Sequence, residues 1–312
     1  MRVAVKAAIG LVALLVVGAV VGWALTGPNR MTAEELAALP QGDAAAGERI
    51  FWAGGCASCH GAEGAQGEAM LELPGGLALK TDFGTFIAPN ISSHPEDGIG
   101  AWSVEDFANA VKRGVSPEGA HYYPAFPYAS YARMREKDVA DLHAFMQTLP
   151  AVEGRAGDHQ LGFPFNIRRG LGLWKMLYLD DAPVAAIETE SDQIAHGRYL
   201  VEGLGHCGEC HTARSVLGGW ERDRWLGGAP SLETDGRIPN ITPADAGIGD
   251  WSATDITYFL ESGFMPDFDS AGGRMAAVVR NMARLPAEDR EAIAAYLQAI
   301  PAVEGEDVSG AD

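Results

Sequence analysis

The sequence predicts an all-α protein in which two tandem modules of one fold follow a single N-terminal transmembrane helix. Three observations carry that expectation. Residues 7–26 run for 20 positions without a charge. Three sequence landmarks recur in the same order about 150 residues apart. Between the landmarks, apolar residues fall at helical spacing.

The N-terminal segment reads "MRVAVKAAIGLVALLVVGAVVGWALTGPNR". Its uncharged run is long enough to cross a hydrocarbon core of roughly 30 Å as a helix. Arg2 and Lys6 precede it, so the positive-inside rule places the short N-terminus in the cytoplasm and exports everything after residue 30. A cleaved signal peptide is the competing reading. Such peptides have apolar regions of roughly 7–15 residues and a small-residue cleavage site, and "GWALTGPNR" offers no convincing one. The expectation is therefore an uncleaved anchor over residues 1–26, and with it a single-pass inner-membrane protein.

The duplication sets the rest of the layout. "PNISSHPEDGIGAWSVEDF" from Pro89 matches "PNITPADAGIGDWSATDI" from Pro239. "LPAVEG" at 149–154 matches "IPAVEG" at 300–305, and "GERIFWAGGCASCH" at 47–60 matches "GRYLVEGLGHCGECH" at 197–211. One unit repeated twice explains all three pairs. The expected boundaries are a linker over 27–42, a first module over 43–152, a connector packing between the modules over 153–190, a second module over 191–305, and an acidic tail over 306–312.

Each module reads as helical. One helix enters the C-x-x-C-H from upstream. A second starts at Ser103 or Ser252, with Asp106 or Asp255 three residues on in a capping-box arrangement. Val104, Phe107 and Val111 share a face, as do Ile256, Phe259 and Leu260. The last helix carries Val139, Leu142, Phe145, Met146 and Leu149 in the first module, and Ile293, Tyr296, Leu297 and Ile300 in the second. These stripes are expected to be core. The connector "FPFNIRRGLGLWKMLYLD" is too apolar for a free linker, and its Arg168 and Arg169 are expected at the surface, with pairing to the carboxylates of a bound cofactor as the alternative.

The chemistry sits in the four cysteines, "CASCH" at 56–60 and "CGECH" at 207–211, with none left over. A zinc ribbon would set its C-x-x-C halves roughly 15–20 residues apart, and here they lie about 150 apart. A thioredoxin-like dithiol belongs in a βαβ unit, which neither site has. Histidine makes up 8 of 312 residues, so its place after both motifs has chance odds of about one in 1,500. C-x-x-C-H is the attachment signature of c-type haem. Two thioethers from cysteine tie the porphyrin to the chain, and the adjacent histidine reaches the iron as proximal ligand. Cys56, Cys59 and His60 are read as one haem site, and Cys207, Cys210 and His211 as a second.

The formal net charge of -19 excludes nucleic acid as a natural partner. Neither H-E-x-x-H, a P-loop nor G-x-S-x-G occurs.

"PNI…GIG-W-S…D", "HYYPAFPYASYARM" and the paired C-x-x-C-H resemble the multihaem cytochrome c subunits of bacterial membrane-bound alcohol, aldehyde and gluconate dehydrogenases. The resemblance covers nearly all of the chain after about residue 43. It implies class I cytochrome c modules in the periplasm and two covalently bound haem c groups. The implied role is electron transfer from a periplasmic dehydrogenase toward a quinol-oxidising complex, an oxidase or a soluble cytochrome of the respiratory chain. Two departures stand out. Many such subunits have three modules and this chain has two. Where the relatives usually carry the distal methionine, this chain has Phe126, which has no lone pair to offer iron.

For the second haem, the resemblance places Met275 as distal ligand opposite His211. For the first, Met134 is the leading candidate against a hydrophobic-staple role on the last helix. His121 and His94 are the nitrogen alternatives, and an open distal side is the third reading. The rival function is a dihaem enzyme of peroxidase or thiosulfate-oxidising type, in which His121 or Glu118 would serve as acid–base group beside an open first haem. A purely structural, assembly role would leave two intact haem motifs unused.

Overall fold

The computed structural model describes residues 2–189, 191–231 and 236–304; the expected acidic tail over 306–312 lies outside the described residues. Helix α1 (Arg2–Leu25) spans about 36 Å at the α-helical rise of roughly 1.5 Å per residue. Within it, Val5–Leu25 is long and apolar enough to cross a membrane. Thr26 ends the helix by donating its hydroxyl to the Gly22 carbonyl at 2.7 Å.

The stretch after α1 lies against the first module. The Met31 side chain is buried, and its backbone N–H donates to Asn109 Oδ1 at 2.9 Å. Arg30 donates to the Ser116 carbonyl at 2.9 Å. Helix α2 (Ala33–Ala37) starts in a full capping box between Thr32 and Glu35.

The first module contains α3 (Ala44–Ala53), α4 (Cys56–His60), α5 (Val104–Arg113), α6 (Tyr128–Tyr131) and α7 (Glu136–Met146). A hairpin of β1 (Ala78–Thr81) and β2 (Gly84–Ile87) follows α4. The connector adds β3 (Gln160–Leu161) to the edge of β2 and then forms α8 (Leu171–Tyr178). In the second module, α9 (Asp192–Arg198) runs on into a π-helical turn over Tyr199–Leu204 and leads to α10 (Gly208–His211). A two-stranded ladder of β4 (Ala229–Pro230) and β5 (Arg237–Ile238) precedes α11 (Ala253–Ser262), α12 (Gly273–Met282) and α13 (Ala287–Ala299).

Both modules rest on one helix crossing. Helix α3 packs on α7 and α9 on α13, with Phe51, Val139, Val201 and Tyr296 completely buried between them. A Cβ at Gly47 would overlap the Asp141 carbonyl, and one at Gly197 would overlap the Ala292 carbonyl. Only glycine lets the two backbones meet, and the two glycines occupy the same place in the repeat. The stripes assigned to the last helices are buried as expected, and Ser103 and Ser252 cap α5 and α11 in complete capping boxes with Asp106 and Asp255. Each such cap stabilises a helix by about 1 kcal/mol.

The small strands are the main addition to the all-α expectation. They are two to four residues long, too short for period-two alternation to register. The tight turn between β1 and β2 is held by Thr81, whose hydroxyl donates to the Gly84 carbonyl at 2.9 Å and accepts from the Phe83 N–H.

Replacing Gly47 or Gly197 by alanine should destabilise the protein by about 1–3 kcal/mol, because the helices must separate. Thermal unfolding checks this, with Gly157→Ala as control, since nothing lies within 4 Å of a Cβ there. Equal midpoints for Gly47→Ala and Gly157→Ala would contradict the crossing argument.

Candidate haem centres

Each motif occupies a single helical turn. On α4, Cys56, Cys59 and His60 stand at i, i+3 and i+4, so the three side chains share one face. Cys207, Cys210 and His211 repeat the arrangement, Cys207 as the N-cap of α10 and the other two within it. The chain enters both turns through a left-handed residue directly before the first cysteine, Gly55 at φ 61° and His206 at φ 41°. The four cysteines form no disulfide.

The histidines are held from behind. His60 Nδ1 lies 2.8 Å from the Pro89 carbonyl and His211 Nδ1 lies 2.8 Å from the Pro239 carbonyl. A carbonyl can only accept, so Nδ1 carries the proton in each ring and Nε2 keeps its lone pair. Burial holds both imidazoles below their usual pKa, with the proline carbonyl as an opposing influence. A neutral ring with a fixed tautomer is the state that binds iron, and backbone acceptors commonly set it in metal sites. Burial also pushes the Cys56 and Cys207 thiols up to about 12.

The carbonyl is itself positioned. Asn90 is buried, donates Nδ2 to the Val152 and Gly154 carbonyls at 2.7 and 2.8 Å, and accepts from the Ser92 N–H. Asn240 donates to the Val303 carbonyl at 2.8 Å and accepts from the Thr242 N–H. The recurring "PN" and "PAVEG" landmarks are thus two ends of one hydrogen-bonded brace behind each histidine. Cysteines on one helical turn, a neutral imidazole beside them and a braced tautomer form a donor set that fits covalently attached haem.

The distal candidates separate by burial. Met275 is half-buried near the start of α12, against the core. Met134 is 2% exposed within the hydrophobic cluster, directly before the α7 cap Arg135, and Val139 on the first turn of α7 is fully buried in the same cluster. It aligns with Leu285, 4% exposed. Phe126 is half-buried, with its ring 5.9 Å from those of Tyr122 and Tyr131. His94 Nδ1 accepts from the Asp97 N–H at 3.0 Å, and His121 Nε2 sits 3.0 Å from the Thr26 carbonyl at the end of α1. Glu118 is exposed. Arg168 and Arg169 stack on the rings of Tyr123 and Trp23.

The structure adds an arrangement that no local pattern shows: each motif hydrogen-bonds to a helix of the other module. Asn281 on α12 donates to the Ser58 hydroxyl inside "CASCH" at 2.6 Å, and Ser130 on α6 donates to Glu209 inside "CGECH" at 3.2 Å. Positions 130 and 281 correspond in the repeat, as do 58 and 209, so the contact is reciprocal. His206 Nε2 reaches the Gly54 carbonyl at 3.2 Å, which also accepts from the Tyr131 hydroxyl at 2.9 Å. Arg49 on α3 donates Nε to the wholly buried Asp289 of α13 at 2.7 Å, with His196 Nε2 at 2.6 Å from the same carboxylate. Equal offsets between polar residues beside the motifs were the available signal.

A predominantly helical repeat around two braced C-x-x-C-H turns defines a c-type cytochrome. The cytochrome c family profile matches residues 44–150. A dihaem c-type cytochrome of Cereibacter sphaeroides is 55% identical over 296 residues, covering 95% of this chain and 98% of that protein. The fructose dehydrogenase cytochrome subunit of Gluconobacter japonicus is 37% identical over 82% of this chain and 52% of its own length. The cytochrome c subunit of the quinone-dependent alcohol dehydrogenase of Gluconobacter oxydans is 34% identical over 82% and 54%. The chain spans about half the length of these two subunits. It belongs to the dihaem c-type cytochromes, carries two covalently bound haem c groups, and is an electron-transfer protein rather than a catalytic enzyme.

A double-mutant cycle of Ser58→Ala and Asn281→Ala should give a coupling of about 0.5–1.5 kcal/mol in denaturant unfolding, the net worth of one hydrogen bond. Strict additivity would show that this contact between the modules carries no energy.

Proposed function

We propose that this chain is the membrane-anchored electron carrier of a periplasmic dehydrogenase, passing electrons to a quinol-oxidising complex, an oxidase or a soluble cytochrome. The observation that carries the reading is the reciprocal seating of each C-x-x-C-H turn against the other module, Ser58 on Asn281 and Glu209 on Ser130, with His206 on Gly54 beside them. The names of the relatives support a dehydrogenase as donor. The apolar run over Val5–Leu25 supports the anchor, which would leave both modules on the periplasmic side of the inner membrane.

Cys56 and Cys59 would hold the first haem and Cys207 and Cys210 the second, with His60 and His211 as proximal ligands. A haem iron supplies one-electron chemistry between ferrous and ferric states, and methionine sulfur opposite histidine favours the ferrous one. The chain's part is to fix the ring tautomers through Pro89 and Pro239 and to seat each turn against the other module. The proposed layout keeps the boundaries given above, and the contacts of Arg30 and Met31 with the first module support a linker that packs on it.

Met275 is the proposed distal ligand of the second haem. For the first haem, the burial of Met134 opposite its counterpart Leu285 favours the staple role, which leaves that distal side without a methionine.

In membranes of a strain lacking this chain, oxygen uptake driven by a sugar or alcohol substrate should collapse while dye-linked dehydrogenase activity persists. Unchanged oxygen uptake on every such substrate would refute the carrier role. A carbon monoxide difference spectrum of the reduced, purified protein tests the ligands. Uptake by one haem in two is expected for the wild type and for Met134→Leu, and by both haems for Met275→Leu. No uptake by the wild type, with one haem opening in Met134→Leu, would instead make Met134 the ligand.

A further inference from the structure

The connector turns an apolar face outward where α1 leaves the haem domain. Phe163, Ile167, Leu173, Met176 and Leu177 are 82, 51, 57, 62 and 66% exposed. On α8, Leu173, Met176 and Leu177 stand at i, i+3 and i+4, so the outward face of that helix is its apolar one. Its inward face holds Gly172 and Lys175, and Lys175 donates Nζ to the Arg113 and Gly114 carbonyls at 2.6 and 2.7 Å. Val216 and Leu217 extend the surface, because Trp174 Nε1 donates to the Leu217 carbonyl at 3.0 Å. Scattered exposed apolar residues are ordinary on a soluble surface, whereas a contiguous set marks an interaction site.

Three features say what covers this face. The first is continuity with α1. Arg169 stacks on Trp23 with its guanidinium carbon 4.0 Å from the ring centroid, and donates Nε to Thr26 Oγ1 at 3.1 Å and a further N–H to the Trp23 carbonyl. A Cβ at Gly172 would overlap the Thr26 carbonyl, so α8 packs directly on the end of α1. The second is charge. Residues 162–179 contain Arg168, Arg169 and Lys175 and no acid, within a chain of net charge -19. Arg168 is exposed beside the apolar helix face and Arg169 half-buried at its edge, a placement that suits anionic headgroups, while Lys175 points inward. The third is the tryptophan at the helix exit, since Trp23 is 66% exposed at the level where aromatic residues favour a membrane interface.

We propose that the face made by residues 163–177 and the 216–217 turn lies in the headgroup region of the bilayer, beside the exit of α1. The inference rests on the reading of α1 as a membrane anchor. It turns a single tether into two attachments, so the haem domain is held at a fixed tilt above the bilayer instead of swinging on the residues after α1. A protein partner of similar chemistry is the competing occupant. The basic surplus and the direct fastening to α1 favour lipid.

The test is photo-crosslinking of the full-length holoprotein in nanodiscs of phosphatidylethanolamine and phosphatidylglycerol that include a phospholipid with an acyl-chain diazirine. Adducts are mapped by peptide mass spectrometry, and the intact mass reports whether α1 is retained. Adducts are expected on α1, on 163–177 and on 216–217. In the combined variant Leu173→Glu, Met176→Glu, Leu177→Glu, adducts on 163–177 should fall by about an order of magnitude, with α1 labelling and the haem spectrum unchanged. Adducts confined to α1 in the wild type would overturn the proposal and leave the anchor standing. Connector adducts on a protein whose intact mass starts beyond α1 would support the lipid-facing surface and remove the anchor. Connector labelling in nanodiscs that vanishes in native membranes would show that a protein covers the face, and would also overturn it.

Discussion

The hydrogen bond from each C-x-x-C-H histidine to a proline carbonyl is the constraint on which the site depends. The carbonyl selects one tautomer and one ring orientation, and so determines which nitrogen faces the iron side. A loop proline could not hold that position alone. Asn90 and Asn240, buried beside it, clamp the loop to the segment after the last helix at Val152 and Val303. That segment is in turn placed by the helix crossing at Gly47 and Gly197. The crossing, the amide brace and the carbonyl form one chain of support, present twice. An imidazole supported in this way pays little reorganisation when the iron changes charge.

Each copy meets the other through its functional turn. Had the modules merely been strung together, polar contacts would fall on arbitrary surfaces. Here Asn281 reaches Ser58 and Ser130 reaches Glu209, equivalent donors to equivalent positions. A duplicated unit that packs on itself through the same patch generates this reciprocity, as a two-fold homodimer does. The buried Asp289, bridged by Arg49 and His196, adds a charged contact that one partner's removal would leave uncompensated. Two reciprocal hydrogen bonds and a buried ion pair thus join the modules.

Much of this was legible in the chain. The landmarks located both modules, Ser103 and Ser252 fixed where helices begin, and the stripes from Val139 and Ile293 are the core. Legibility failed where the information is tertiary. His206 reads as one more residue before a cysteine, yet it adopts a left-handed conformation and spans to the other module. Arg168 and Arg169 read as isolated surface charges, yet they fasten the connector through aromatic rings at Tyr123 and Trp23. Short strands escaped because two to four residues carry no period. For His206, Arg168 and Arg169 the partner lies tens of residues or more away, and no local pattern encodes it.

The two copies have not diverged evenly. On the proximal side the proline, the asparagine, the glycine at the crossing and the C-x-x-C-H are kept in both. On the distal side almost nothing matches: α6 has four residues where α12 has ten, and Met134 stands where the second module has Leu285. The asymmetry follows from what each side does. The proximal side carries attachment and tautomer, and a change there loses the cofactor. The distal side sets the potential through its sixth ligand and polarity, a quantity that can drift by steps without unfolding anything. One proximal brace with two different distal surroundings is an arrangement in which the two potentials can be set independently of attachment.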